Sequence, residues 1–377
     1  MSLRVGVVGV RRGRGPAAVF HSHADCELVA VADRNEDVLQ GIGEQFNIDP
    51  AHRYDDIDKM LASDIDAVFV STPAPVHAEH TIAALQAGKH VMCEVPAVYT
   101  IEQARQVVKT VRETGLKYAF AENMCYYPYV LFYRQLVAEG QIGEIVYAEG
   151  EYIHNCESLM VDRPDGLGGG SGSNLTWRAS LPPIQYCTHD LGPLLQMFED
   201  RCTVAVGFNT GNRRRPDLGV IDLGVGLFQT QKKITIKQLC AFSVAKHPSH
   251  HWFSIYGTTG HLEQSRRPNV TGQSTHYLYR EHYDKLGGPM EFNVPTNDPT
   301  APPEATVGGH GTSEYFMVDG FVRCILDDTK PPIDVYEAMD WTLPGICAHL
   351  SAEQGSIPIE VPDLRPEATS PTQTAST

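Results

Sequence analysis

The N-terminal part of the chain alternates short apolar runs with amphipathic segments. Runs rich in β-branched residues occur at positions 3–9, 26–32, 66–70, 90–93 and 118–121. Between them, residues 77–87 and 101–114 have helical apolar spacing, and each segment is followed by a glycine, a common helix terminator. Buried strands that alternate with helices predict a doubly wound parallel sheet. We therefore expect a Rossmann domain over residues 1–122.

The pattern changes after Pro128. Residues 129–139 have helical spacing, whereas strand-like runs follow at 144–154, 203–208, 219–230, 233–242 and 252–256. Consecutive strands without intervening helices predict a mostly antiparallel sheet, so the fold class is α/β followed by α+β, with the second domain over residues 123–365. One face of such a sheet commonly packs on another subunit, which predicts a homodimer or homotetramer. The glycine- and serine-rich residues 163–174 predict a mobile flap or weakly ordered insert, and residues 366–377 a disordered tail.

Composition narrows the classes of function. The formal net charge of −16 disfavours nucleic acid as a partner, and no apolar stretch approaches the 18 residues of a membrane span. Nine cysteines without a C-x-x-C pair indicate reduced thiols, and the first strand leaves no room for a signal peptide, so we expect a cytoplasmic protein. A histidine cluster is present at His247, His250 and His251, but no carboxylate or thiolate ligands accompany it. No metal is therefore expected there.

A glycine-rich loop follows the first apolar run. It reads G-V-R-R-G-R-G from Gly9, which matches the dinucleotide fingerprint G-x-G-x-x-G only in part, and an ordinary glycine-rich turn remains an alternative. Arg11 and Arg12 lie where a cofactor pyrophosphate is expected. Asp33 follows the second strand, where an acid binds the adenosine ribose and would repel the extra phosphate of NADP. Asp33 therefore favours NAD, unless it only caps the next helix, and Arg34 is expected over the adenine or in solvent.

Several further motifs together resemble the glucose–fructose oxidoreductase/inositol dehydrogenase (Gfo/Idh/MocA) family. They are S-T-P at 71–73, A-G-K-H-V at 87–91, E-x-P at 94–96, D-V-Y at 334–336 and I-P-I-E-V-P-D at 357–363. The resemblance implies an NAD(P)-binding domain, an α+β domain and an active site in the cleft between them. It also implies cofactor contacts at Gly9, Ser71, Thr72, Pro73, His77, Glu94, Val95 and Asn123.

The chain departs from the dehydrogenases of that family at two positions. Val95 replaces the lysine of their E-K-P turn, and Gln185 replaces the aspartate four residues before the catalytic histidine, here His189. The sequences E-V-P-A at 94–97, A-E-N at 121–123, Y-I-H at 152–154, W-R at 177–178, Y-x-T-H-x-L-G-P at 186–193 and G-H-G at 309–311 resemble instead the NAD-dependent glycosidases, of the α-N-acetylgalactosaminidase type. That branch oxidises a sugar hydroxyl transiently, eliminates the aglycone, adds water and reduces the sugar again.

The resemblance assigns catalytic roles to two residues of the Y-x-T-H run. His189 would take the C3 hydroxyl proton, for which an imidazole has a suitable pKa. Tyr186 would remove the C2 hydrogen if positive neighbours lower its pKa from about 10. His189 as a helix cap and Tyr186 as a plain cleft aromatic remain alternatives.

Four further residues are candidates for substrate binding, namely Tyr127, His154, Trp177 and Arg178. Trp177 would stack on a sugar face or belong to the core, and His154 would contact the substrate or be structural. Arg178 would bind an anionic substituent or form a surface ion pair. The predicted function is a redox-neutral NAD-dependent glycosidase acting on a carbohydrate. An NAD-dependent sugar or polyol dehydrogenase and a catalytically silent NAD-binding sensor are the alternatives.

Overall fold

The structure is a computed structural model that describes residues 2–162, 174–246, 250–267, 272–282 and 288–366. The predicted flap, apart from Asn174, and the predicted tail from residue 367 lie outside these ranges.

A parallel sheet of six strands forms the N-terminal domain and confirms the predicted Rossmann fold. Its strands are β1 (Leu3–Val8), β2 (Cys26–Ala32), β3 (Arg53–Tyr54), β4 (Ala67–Val70), β5 (His90–Cys93) and β6 (Tyr118–Phe120). They lie in the order β3-β2-β1-β4-β5-β6. The order reverses at β1, and ligands of such sheets bind at the carboxyl ends of the strands beside that reversal.

Five helices connect these strands, and local capping accounts for their ends. They are α1 (Arg14–Ser22), α2 (Glu36–Gln45), α3 (Ile57–Leu61), α4 (His77–Gln86) and α5 (Ile101–Thr114). The Thr100 hydroxyl accepts the Gln103 backbone N–H at 3.1 Å, and the Gln103 side chain accepts the Thr100 N–H at 3.2 Å. This capping box starts α5, and Gly115 ends it in the left-handed conformation, with φ of 65°.

The second domain is a nine-stranded sheet with helices packed on one face. Its elements are α6 (Pro128–Ala138), β7 (Ile145–Ile153), α7 (Trp177–Ser180), α8 (Thr188–Phe198), β8 (Cys202–Asn209), β9 (Gly224–Thr230), β10 (Thr235–Ala241), β11 (His251–Gly257), β12 (Gly260–Gln264), β13 (Gln273–Arg280), β14 (Met290–Pro295), α9 (Thr312–Leu326), α10 (Val335–Glu353) and β15 (Ile359–Glu360). The order is β14-β13-β12-β11-β7-β10-β9-β8-β15. Within this second sheet, β7 and β10 are the only described strands that pair in parallel, which confirms the mostly antiparallel sheet.

One predicted strand of this sheet is too long. The run expected at 219–230 begins as a strand only at Gly224. Its first residues form a turn, because Gly219 has a φ of 69° and the Asp222 carboxylate accepts the backbone N–H groups of Arg213 and Arg214. A carboxylate that binds the backbone in this way competes with strand pairing.

Helix α9 joins the second part of the chain to the first domain. Its Met317, Val318 and Phe321 are buried in the same apolar cluster as Val19 and Phe20 of α1. A helix from the C-terminal part of the chain therefore completes the apolar core around α1, which follows the glycine-rich loop. No helix in the described ranges combines the length and the apolar character needed to cross a membrane.

Candidate functional site

A cleft of about 500 Å³ lies at the carboxyl ends of the parallel strands and reaches the second domain. From the first domain it is lined by Gly9, Arg11, Arg12, Asp33, Asn35, Ser71, Thr72, Pro73, His77, Glu94 and Val95. From the second domain it is lined by Leu159, Thr176, Trp177, Arg178 and Tyr186. Most predicted site residues therefore meet in one cleft, although no sequence motif indicated Asn35, Leu159 or Thr176.

The glycine-rich loop is packed so tightly that side chains are excluded. Gly9 has a φ of 81°, and a Cβ there would lie 2.6 Å from the Ser71 carbonyl oxygen. A Cβ on Gly13 would collide with the Ser71 hydroxyl. Helix α1 then begins at Arg14 without a side-chain cap, so its first backbone N–H groups suit an anionic group such as a pyrophosphate. These features fit a dinucleotide.

Asp33 lies at the carboxyl end of β2 and faces the cleft. Its Oδ1 atom accepts the Asn35 backbone N–H at 2.9 Å. The cap of α2 is Asn35 itself, whose side chain accepts the Val38 N–H at 3.0 Å, so the alternative in which Asp33 caps this helix is wrong. Arg34 is exposed and does not line the cleft.

Glu94 connects the turn after β5 with the glycine-rich loop. Its Oε1 atom lies 2.8 Å from Arg12 Nη2, and its Oε2 atom accepts the Val95 N–H at 3.1 Å. The carboxylate raises the pKa of Arg12, against the opposing effect of burial. Nearby, His77 places its ring nitrogens 2.8 Å from the Pro96 carbonyl oxygen and 2.6 Å from that of Thr72. Burial lowers the pKa of His77.

His189 is held by a carboxylate that the sequence interpretation missed. Its Nδ1 atom lies 2.7 Å from Oε1 of Glu122, which is fully buried and also accepts the Met124 N–H at 3.2 Å. Burial is the largest single effect and would lower the pKa of His189, but the Glu122 carboxylate, together with Asp190 and Glu94, outweighs it and the pKa is raised. His189 therefore has a buried carboxylate partner, although Val95 and Gln185 replace the two polar residues of the dehydrogenases. Glu122 lies two residues after the end of β6, at the carboxyl edge of the parallel sheet, and this position was the available signal.

The alternative in which His189 only caps a helix is also wrong. Cys187 is the cap of α8, and His189 is the second residue of that helix. Its ring lies 5.2 Å from the Tyr186 ring, edge to face, which puts the two residues of the Y-x-T-H run side by side.

Tyr186 is buried between aromatic rings and a cation. Its ring stacks on Tyr152 with centroids 5.9 Å apart, and the Arg178 guanidinium carbon lies 5.9 Å from its centroid. Burial raises the pKa of Tyr186, and Arg178 and Arg12 oppose this only in part. The condition set for Tyr186 as a base, that positive neighbours lower its pKa, is therefore not met: the cations are present, but the loss of solvation is the larger effect.

The remaining predicted substrate residues occupy different places. Trp177 and Arg178 begin α7 and line the cleft, with the guanidinium carbon 4.6 Å from the indole centroid. His154 follows β7, where its Nδ1 atom lies 3.0 Å from the Tyr152 hydroxyl. Burial, with the neighbouring His250, lowers the pKa of His154 to about 4.

Five predicted residues do not line the cleft, namely Arg34, Asn123, Tyr127, His154 and His189. Asn123 is buried beside Glu122, and Tyr127 is half-buried at the start of α6. In the ranges that the structure describes, no cluster of three or more His, Cys, Asp or Glu side chains could hold a metal ion; His247 lies outside them.

Two family models match the chain. Residues 3–122 match the oxidoreductase family with the NAD-binding Rossmann fold (Gfo/Idh/MocA), and residues 222–368 match the glycosyl hydrolase 109 C-terminal domain. Glycosyl hydrolase family 109 proteins of Solibacter usitatus and Bacteroides thetaiotaomicron are 25% and 26% identical. Each alignment covers 96% of this chain, and 88% and 85% of the respective relative.

Solved structures of similar fold include two cofactor complexes. The scyllo-inositol dehydrogenase of Lactobacillus casei, with NAD(H) and scyllo-inositol, has a TM-score of 0.72 at 19% identity and covers 96% of this chain and 99% of its own. An Agrobacterium radiobacter oxidoreductase, with NAD+, L-tartaric acid and magnesium, has a TM-score of 0.74 at 15% identity and the same coverage. At these identities the likeness shows the fold.

Proposed function

We propose that this chain, which combines the NAD-binding domain of the Gfo/Idh/MocA family with the C-terminal domain of glycosyl hydrolase family 109, is an NAD-dependent glycosidase. It would cleave a glycoside by transient oxidation at C3 and elimination of the C1 substituent. The observation that carries the proposal is the pairing of His189 with Glu122, directly beside Tyr186, in a site where Val95 replaces the dehydrogenase lysine.

NAD fits the first-domain side of the cleft. The uncapped start of α1 and the glycine-rich loop would hold the pyrophosphate, Asp33 the adenosine ribose, and Glu94 and Val95 the turn beneath the nicotinamide. When bound, NAD supplies the hydride acceptor for the sugar hydroxyl and the donor that restores it.

His189 is suited to move the C3 hydroxyl proton. Its Nδ1 atom is committed to Glu122, which leaves Nε2 as the atom that accepts the proton. The buried carboxylate stabilises the imidazolium that forms, and so makes the imidazole a stronger base. The same proton returns when the hydroxyl is regenerated.

Tyr186 is suited to the next step, in which the new ketone acidifies the C2 hydrogen. A phenol must lose its own proton before it can accept one, and burial opposes that loss here. Arg178 and Arg12 supply the positive charge that stabilises a phenolate at this position. Once the C2 hydrogen is removed, the C1 substituent leaves, and water later adds in its place.

We further propose that the protein is cytoplasmic and forms a homodimer or homotetramer through the open face of the nine-stranded sheet. Large apolar side chains are exposed on one face of its strands at Phe208, Leu227 and Tyr256, opposite to the row that packs into the core. Apolar side chains on an unpacked sheet face support burial against a second copy. Sedimentation velocity tests this, and a monomer at micromolar concentration would contradict it.

A sugar or polyol dehydrogenase is the second candidate, because inositol dehydrogenases share the fold and a histidine–carboxylate pair serves either chemistry. Incubation with aryl glycosides and free sugars, with and without NAD, separates the two. Aglycone release without NADH accumulation supports the glycosidase. Stoichiometric NADH supports the dehydrogenase, and neither product would indicate a silent NAD-binding sensor.

A further inference from the structure

Arg178 is a cleft cation whose charge no carboxylate of the described residues neutralises. It is half-buried and lines the cleft beside Tyr186. In the part of the chain that the structure describes, no acidic side chain lies within the 4.0 Å of an ion pair with Arg178, and its N–H groups donate to no protein acceptor. Arg12, by contrast, is paired with Glu94 at 2.8 Å. A guanidinium held partly out of water without a partner suits an anionic ligand.

The way in which Arg178 is held leaves its hydrogen-bonding edge available. The guanidinium carbon lies over the ring of Trp177 at 4.6 Å and over that of Tyr186 at 5.9 Å. Contacts with aromatic faces stabilise the cation through its flat surfaces, whereas the N–H groups point outward in its plane. A planar fork of this kind binds two oxygens of one anionic group.

The segment that carries Arg178 is anchored at both ends. Before it, Val161 and Leu175 form a β-bridge, and the Thr176 N–H donates to the Met160 carbonyl oxygen at 2.9 Å. After it, the Tyr99 hydroxyl donates to the Ser180 carbonyl oxygen at 3.3 Å. A cation fixed in this way loses little further freedom when a ligand binds, which favours selectivity.

We infer that Arg178 selects a pyranoside whose sugar ring carries an anionic substituent, a carboxylate or a sulfonate. This inference rests on the proposed function, because it names the substrate class of the same site. The cofactor does not account for the arginine, since the pyrophosphate is expected at the start of α1, whereas Arg178 comes from the second domain and borders Tyr186. Trp177 beside it offers an apolar face for the ring itself.

The test compares matched sugars on the NAD-loaded full chain. Titration calorimetry would measure the binding of glucose, glucuronate and 6-deoxy-6-sulfoglucose. Initial rates would be taken with both anomers of their 4-nitrophenyl glycosides. We expect one anionic sugar to bind at least about tenfold more tightly than glucose, the contribution of one charge-assisted hydrogen-bond pair. Tighter binding of glucuronate would indicate that the substituent is a carboxylate, and tighter binding of 6-deoxy-6-sulfoglucose would indicate a sulfonate.

Two variants isolate the arginine. Arg178→Met keeps the aliphatic stem, and Arg105→Gln removes a charge from an exposed ion pair on α5 as the control. Arg178 also acts on Tyr186, so its loss would slow the cleavage of both glycosides alike. The readout is therefore kcat/KM for the anionic glycoside divided by kcat/KM for the neutral glycoside, because an effect through Tyr186 cancels in this ratio. This ratio should fall at least about tenfold in Arg178→Met and stay unchanged in Arg105→Gln. NAD content should not change in either variant.

The outcomes separate this inference from the proposed function. Neutral and anionic sugars that bind equally, or a ratio that Arg178→Met leaves unchanged, would overturn the inference even if glycosides are cleaved. Binding of an anionic sugar that depends on Arg178, without any aglycone release, would support the inference and remove the glycosidase.

Discussion

Replacing Glu122 by glutamine should weaken the base without removing it. Glu122→Gln keeps the size of the side chain and an oxygen able to accept the Met124 N–H, but it removes the charge 2.7 Å from His189 Nδ1. A hydrogen bond to a charged group contributes about 1.5–3 kcal/mol. If that stabilisation acts on the imidazolium formed in the transition state, kcat should fall roughly 10- to 150-fold.

The pH dependence of the rate gives a second and more specific readout. His189 must be neutral to accept a proton, so kcat/KM should rise with pH through the pKa of His189. In the wild type that pKa is raised, because Glu122, with Asp190 and Glu94, outweighs burial. Glu122→Gln removes the largest of the effects that oppose burial, so the pKa of His189 should be lower in the variant than in the wild type. The acid limb of the profile should therefore move to lower pH in Glu122→Gln, while the plateau falls.

The assay is aglycone release over a pH series, with circular dichroism and NAD content as checks on folding. Glu113→Gln, on the exposed surface of α5, controls for the loss of one carboxylate. A Glu122→Gln protein that is folded, that binds NAD, and that keeps both the wild-type kcat and the wild-type acid limb would refute the role given to this pair.

Three further predictions concern the cofactor, the elimination step and packing. Asp33→Ala should weaken NAD binding by roughly tenfold, and fluorescence titration that shows wild-type affinity would contradict this. Tyr186→Phe should form reduced cofactor on the enzyme but lose C2 hydrogen exchange; unchanged aglycone release would exclude tyrosine. Gly207→Ala should lower the free energy of unfolding by about 1–3 kcal/mol, because its Cβ would collide with the Ala348 carbonyl group. Gly41→Ala, in open space within α2, should raise the free energy of unfolding by about 0.5–1 kcal/mol. Denaturant titration that finds equal effects for the two variants would refute the packing account.

The first domain was predictable because five of its strands carry their own apolar run. The exception is β3, which has two residues and pairs with β2 through Val31–Arg53 and Ala32–Tyr54. A strand this short has no hydrophobic periodicity to detect. In the second domain, α9 and α10 and the strands from β12 to β15 were not identified either.

The site was predictable residue by residue but not in its pairings. The sequence pointed to His189 and contained Glu122 within the A-E-N motif, yet the two lie 67 positions apart. They meet only because α8 packs against the turn at residues 123–126 that follows β6. The pKa of Tyr186 could not be inferred from its neighbours, because the dominant effect is burial, and burial is a property of the folded chain.

Turnover of an aryl glycoside in deuterium oxide tests the redox-neutral elimination most directly. NADH is followed by its absorbance, and the released sugar is analysed by mass spectrometry and NMR. The elimination pathway removes the C2 hydrogen and replaces it from solvent, so the released sugar should carry one deuterium at C2 while NADH does not accumulate. Release of a sugar without deuterium, or NADH formed in proportion to the substrate consumed, would contradict the proposed function.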